Sequence, residues 1–146
     1  MSANEAVSAA TPDDGIKELE NLIERVRAAQ RKFATYSQEQ VDAIFKAAAL
    51  AANAQRIPLA KMAVAETGMG RVDHKRLKHI LVAEKTPGTE DIVSEAKTGD
   101  DGLTLTEMAP FGVVGSITPS TNPSETVICN SIGMIAAGNG VVFNPH

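Results

Sequence analysis

Apolar residues recur at helical spacing from position 16 to position 85 and alternate or cluster in short runs after position 102. Ile16, Leu19, Ile23, Val26 and Ala29 or Gln30 form one stripe with charges opposite, which predicts a helix over 16–33. Ser37, with Gln40 three places on, reads as the capping box of a second helix. Its inner stripe is Val41, Ile44, Phe45 and Ala48, and the run AAALAANA that follows lets neighbouring helices approach closely. Pro58 suits the first turn of a third helix over 59–67, and Gly68 suits its end. A fourth helix is expected over 71–85, with Val72, Leu77, Ile80 and Leu81 inward, and Pro87-Gly88 stops it.

The pattern then changes. LTLT at 103–106 follows the turn TGDDG and alternates with period two, so it predicts a half-exposed strand. GVVGSIT at 112–118 is short, uncharged and rich in β-branched residues, as a buried parallel strand is. Asn122-Pro-Ser-Glu opens a helix reaching Ala137, Gly138-Asn-Gly140 ends it, and VVFN at 141–144 is a second strand. This is a β-α-β unit, the core of a nucleotide-binding sheet. The chain therefore divides into a flexible leader (1–14), a helical segment (15–101) and the start of a parallel-sheet domain (102–146). Two parallel strands are not a stable domain, and their open side exposes apolar edges. The sequence reads as the first part of a longer α/β protein.

Composition narrows the class. At 146 residues the chain holds one domain of ordinary size. Its net charge of −4 gives no reason to expect a nucleic acid or an anionic membrane as partner. Hydrophobic residues reach 43% while aromatics are only 3%, so the core is expected to be aliphatic and Ala-rich. One cysteine rules out an internal disulfide and most cysteine-based metal sites, and no metal is expected. The first residues lack the basic-then-apolar order of a secretory signal, so a cytoplasmic location is expected.

There is no GxGxxG and no GxxxxGK[ST]. What remains is GVVGSITPSTNPSE, a polar loop at the carboxyl end of a strand and just before a helix, where ligands bind in open α/β sheets. Asn122, Pro123 and Glu125 by themselves make a good helix start, with Asn122 as its cap. Cys129 lies inside the following helix beside Ile132, Gly133 and Ala136, with no His or acid spaced to activate it, and reads as a buried, unreactive thiol. His74 and His79 lie among Lys75, Arg76 and Lys78, which reads as a solvated basic face.

Four blocks in order carry a resemblance: residues 17–42, KELENLIERVRAAQRKFATYSQEQVD; residues 55–71, QRIPLAKMAVAETGMGR; the pair EKTPGTEDI and TGDDGLTLTEMAPFGVV; and GVVGSITPSTNP with AAGNGVVFNPH. Together they resemble the aldehyde dehydrogenase superfamily, and within it the coenzyme A-acylating branch. That branch includes stand-alone acetaldehyde (acetylating) and propionaldehyde dehydrogenases, some housed in bacterial microcompartments, and the aldehyde half of bifunctional aldehyde–alcohol dehydrogenase. The resemblance implies an incomplete aldehyde dehydrogenase fold: an amino-terminal helical layer followed by the first β-α-β unit of a Rossmann-like NAD-binding domain. It implies an oxidoreductase that converts aldehyde, coenzyme A and NAD to acyl-CoA and NADH, with the nucleophilic cysteine beyond this segment. It also implies a small aldehyde substrate, a homo-oligomer, and association with a microcompartment shell or cargo. Asn122 matches the asparagine that stabilises the substrate oxyanion. Ile117, Thr118, Pro119 and Ser120 match the strand end along the cofactor. Asn144 falls where many members place a Lys on the adenosine ribose, so that charge is missing, and His146 matches the Pro-His of the branch. Two other readings compete: a non-catalytic nucleotide- or partner-binding protein of the same ancestry, and a helical interaction module with an unrelated strand tail.

Overall fold

The structure is a computed structural model and describes residues 12–146. The expected leader falls largely outside these residues, and its last positions, from Pro12, already belong to the first helix. Five helices and four strands follow one another: α1 (Pro12–Phe33), α2 (Gln38–Ala54), α3 (Arg56–Thr67), α4 (Val72–Lys85), β1 (Glu95–Gly99), β2 (Gly102–Thr106), β3 (Val113–Thr118), α5 (Pro123–Ala136) and β4 (Gly140–Pro145). A short 3-10 turn, Thr89–Asp91, links α4 to β1.

Local chemistry sets the boundaries. The Ser37 hydroxyl accepts from the Gln40 amide while the Gln40 side chain accepts from the Ser37 amide, completing the capping box. Gly68 ends α3 in the left-handed region, at φ 66°, where other residues are strained.

β3 and β4 pair in parallel, with Val113 opposite Gly140 and Thr118 opposite Pro145. Alternation divides this small sheet into two faces. Val113, Gly115 and Ile117 face α1, whose Val26 and Gln30 crowd Gly140. Val114, Ser116 and Thr118 face α5, where Asn130 Nδ2 donates to Ser116 Oγ at 2.8 Å. α2, α3 and α4 pack against the outside of α5. The order is thus one helix, the sheet, α5, and an outer helical layer. The buried apolar residues among those described are Ala60, Ala63, Ile132 and Ala136, an aliphatic and Ala-rich core. Its small residues come from α3 and α5; the alanine run of α2 has no buried member.

Two expectations are corrected. EAKTG at 95–99 is a strand: β1 and β2 form an antiparallel hairpin, and every residue of it is exposed, so β2 is open on both faces. The inner face of α4 is also different. Leu77 and Leu81 are 55% and 57% exposed, while Lys75 and His79 turn inward at 3% and 1%. The helix is rotated because those two polar side chains have partners on the loop before α5 and in its first turn, described below, and a buried polar group must be paired.

A Cβ at Gly140 meets Val26 Cγ1 at 2.6 Å, whereas one at Gly133 on α5 meets nothing within 4 Å. Gly140→Ala is expected to lower stability by about 1–3 kcal/mol through overpacking. Gly133→Ala should raise it by up to about 1 kcal/mol, the helix preference of Ala over Gly. Denaturant unfolding of the two variants checks both signs.

Candidate functional site

The carboxyl end of β3 opens into the loop Pro119–Ser120–Thr121, which leads to Asn122 and α5. Pro123 occupies the first turn of α5, where its missing N–H costs nothing. Asn122 is the N-cap by position, and its carbonyl accepts from the Thr126 amide at 3.1 Å. Its side chain makes no cap, which corrects the simplest reading of the sequence. Instead Oδ1 accepts from Lys78 Nζ at 2.8 Å. An ammonium group only donates, so this contact assigns the oxygen and nitrogen of the carboxamide. Nδ2 is then the donor of the carboxamide, with Thr121 Oγ1 at 3.5 Å as its neighbour within the loop.

The residues read as a solvated basic face are the supports of this loop. Lys75, Lys78 and His79 lie at i, i+3 and i+4, on one side of α4. Lys75 Nζ donates to Thr121 O at 2.5 Å and lies 3.4 Å from Glu125 Oε1, with both side chains buried. His79 Nδ1 donates to Lys75 O at 2.8 Å, and Nε2 lies 2.9 Å from Ser124 Oγ. Thr121, Asn122, Ser124 and Glu125 are therefore each held from α4. Only His74 of the two histidines is exposed as expected. The spacing of Lys75, Lys78 and His79 was the signal for this face, but it competes with the apolar spacing of Leu77 and Leu81.

The structure gathers the expected cofactor residues at one sheet edge and divides them between two faces. Ile117 pairs with Asn144, Thr118 with Pro145, and the His146 amide donates to Thr118 O at 3.0 Å. Ile117, 79% exposed, and Asn144 line a cleft of about 600 Å³ on the α1 side, together with Leu19, Leu22 and Arg27. Arg27 is paired there with Glu24. Thr118 faces α5; its Oγ1 is buried without a hydrogen-bond partner. Pro119 is exposed, Ser120 half-buried and His146 exposed.

Cys129 is half-buried on α5. It shares a cleft of about 330 Å³ with Lys78, Asn122 and Glu125, a proximity that spacing did not reveal. Its sulfur has the Thr86 hydroxyl at 3.5 Å as its hydrogen-bonding neighbour, which is not a base. The nearby charges are engaged elsewhere, Lys78 on Asn122 and Glu125 on Lys75. Among the described residues, no three of His, Cys, Asp and Glu come together to hold a metal ion.

Comparison with known proteins gives the relationship. The family model described as "Aldehyde dehydrogenase family" matches residues 2–146. The chain belongs to that family. An acetaldehyde dehydrogenase (acetylating) of Bilophila wadsworthia is 50% identical over 128 residues, covering 88% of this chain and 26% of its own length. The acetaldehyde dehydrogenase (acetylating) EutE of Escherichia coli is 43% identical over 147 aligned positions, covering 100% of this chain and 31% of the relative. Among solved structures, a propionaldehyde dehydrogenase from the Clostridium phytofermentans fucose utilisation bacterial microcompartment superposes with a TM-score of 0.81 at 58% identity, covering 87% of this chain and 29% of that one. The chain thus spans between a quarter and a third of the length of these relatives. They support the α/β reading and the acylating branch of the resemblance.

The buried pair between α4 and α5 generates a test. Lys75→Met leaves the Glu125 carboxylate buried without its cation and should cost about 3–5 kcal/mol. The double variant Lys75→Met/Glu125→Leu should recover most of that loss, because two apolar groups replace the pair. Urea midpoints of the two variants and the parent decide it.

Proposed function

We propose that these residues form the amino-terminal part of an NAD-dependent, coenzyme A-acylating aldehyde dehydrogenase acting on a small aldehyde. The observation that carries this reading is Asn122: an amide donor held at the carboxyl end of a parallel strand, with its oxygen fixed by Lys78. A donor fixed before the reaction stabilises negative charge as it develops on the carbonyl oxygen and needs no reorganisation to do so. The printed names of the relatives supply the reaction class. One related structure, from Rhodopseudomonas palustris, is described with bound propionyl-CoA, and an engineered relative with bound NADP+.

The residues at the sheet edge fit a dinucleotide. Thr118 Oγ1 is a buried polar atom with no partner inside the fold, and Ile117 presents apolar surface beside the Asn144 amide. Ile117, Thr118, Pro119, Ser120, Asn144 and His146 are accordingly assigned to the cofactor edge. Asn144 offers an amide there and no charge. When bound, NAD supplies the hydride acceptor and coenzyme A the acyl acceptor. Asn122 orients the aldehyde oxygen; the short side chains of the strand end let the cofactor approach the backbone.

No described helix is long and apolar enough to cross a membrane. The microcompartment named for the Clostridium relative supports a place inside such a compartment for this enzyme; the cytoplasm and the homo-oligomer rest on the first residues of the sequence and on the family resemblance alone.

The test is a chimera in which these 146 residues replace the matching segment of the Bilophila enzyme. It should reduce NAD with acetaldehyde and coenzyme A. Asn122→Asp in it should lose 10²–10³ in kcat, on the order seen when one oxyanion donor is removed, because a carboxylate only accepts. Since Asp also suits a helix start, the melting temperature should stay within about a few degrees of the parent. A folded chimera without turnover supports instead the non-catalytic relative. The 146-residue chain alone should show no turnover, and Cys129→Ala should change nothing; turnover abolished by that substitution makes Cys129 the nucleophile.

A further inference from the structure

We propose that Lys78 is a positioning residue: its ammonium group holds and polarises the Asn122 carboxamide so that its N–H donors face the reacting oxygen. The inference rests on the oxyanion role proposed above for Asn122. Its basis is the 2.8 Å contact from Lys78 Nζ to Asn122 Oδ1, between residues 44 positions apart. A carboxamide rotated by half a turn presents oxygen where nitrogen stood, and an amide oxygen repels a developing oxyanion. Lys78 forbids that rotation, since its ammonium has no acceptor to offer Nδ2. Drawing electron density toward Oδ1 also makes the N–H groups better donors, as hydrogen bonds in series do.

The backbone of the loop is held independently of Lys78. Lys75 fixes Thr121 O, and His79 meets the Ser124 hydroxyl. Lys78 itself is exposed, so its removal leaves no hole in the core. A role in general stability and a role in orienting one amide are therefore separable in the same molecule.

The first arm observes the amide directly. In the active chimera labelled with 15N-asparagine, Lys78→Met should shift the Asn122 side-chain amide pair, leave those of Asn53 and Asn139 in place, and leave the melting temperature unchanged. Lys78→Arg, which still donates from a cation, should restore the shifts in part. An Asn122 pair that does not move overturns the proposal. The second arm is a double-mutant cycle in the active chimera. Lys78→Met should lower kcat by roughly 10-fold, a fraction of the 10²–10³ for losing a donor outright, with KM little changed. On an Asn122→Ala background it should lower kcat no further. Full additivity means that Lys78 acts elsewhere and overturns the proposal. If Asn122→Ala alone leaves kcat intact, the oxyanion reading has failed. If Asn122→Ala lowers kcat and Lys78→Met does not, the positioning role alone has failed.

Discussion

The contact between α4 and the start of α5 is polar where helix contacts are ordinarily apolar. Lys75 and Glu125 are buried opposite each other, and His79 and Ser124 lie beside them. Removing two charges from water costs several kcal/mol per ion, so such a pair contributes little net stability. It contributes position. An apolar helix face can slide by a residue with modest loss, but a lysine that must reach both Thr121 O and Glu125 admits one placement. The rotation of α4 and the path of the loop follow from that placement.

The β-α-β unit was legible because its signals agree. An uncharged β-branched run, an Asn-Pro-Ser-Glu helix start and a Gly-Asn-Gly stop each point to the same architecture. The Ser37–Gln40 capping box was legible for the same reason. β1 was not: Glu95, Ala96 and Lys97 are poor strand formers, and they pair only because β2 lies across the two-residue turn. The inner face of α4 was missed because hydrophobicity decides most helix faces, and here hydrogen bonding decided it. Leu77 and Leu81 have the spacing of a buried stripe, yet they face outward because Lys75 and His79 could not.

At the candidate site, the sequence resemblance named the right neighbourhood without its geometry. Ile117 and Thr118 are adjacent in the chain and lie on opposite faces of the sheet. Only a strand's alternation, not a list of matched positions, separates the residue beside the α1 cleft from the one beside α5. The support from α4 lies 44 positions from Asn122 in sequence, so no local motif contains both partners.

The β1–β2 hairpin has a thermodynamic consequence. Its residues are exposed on both faces, and a two-stranded ribbon without a covering layer is marginal in water. The five residue pairs from Glu95↔Thr106 to Gly99↔Gly102 therefore form a unit whose opening free energy lies far below that of the helical body. Its amide protons should exchange with solvent through local opening, ahead of those of α5 and β3. The hairpin should therefore open as a separate unit, bounded by the Thr89–Asp91 turn on one side and by the start of β3 on the other.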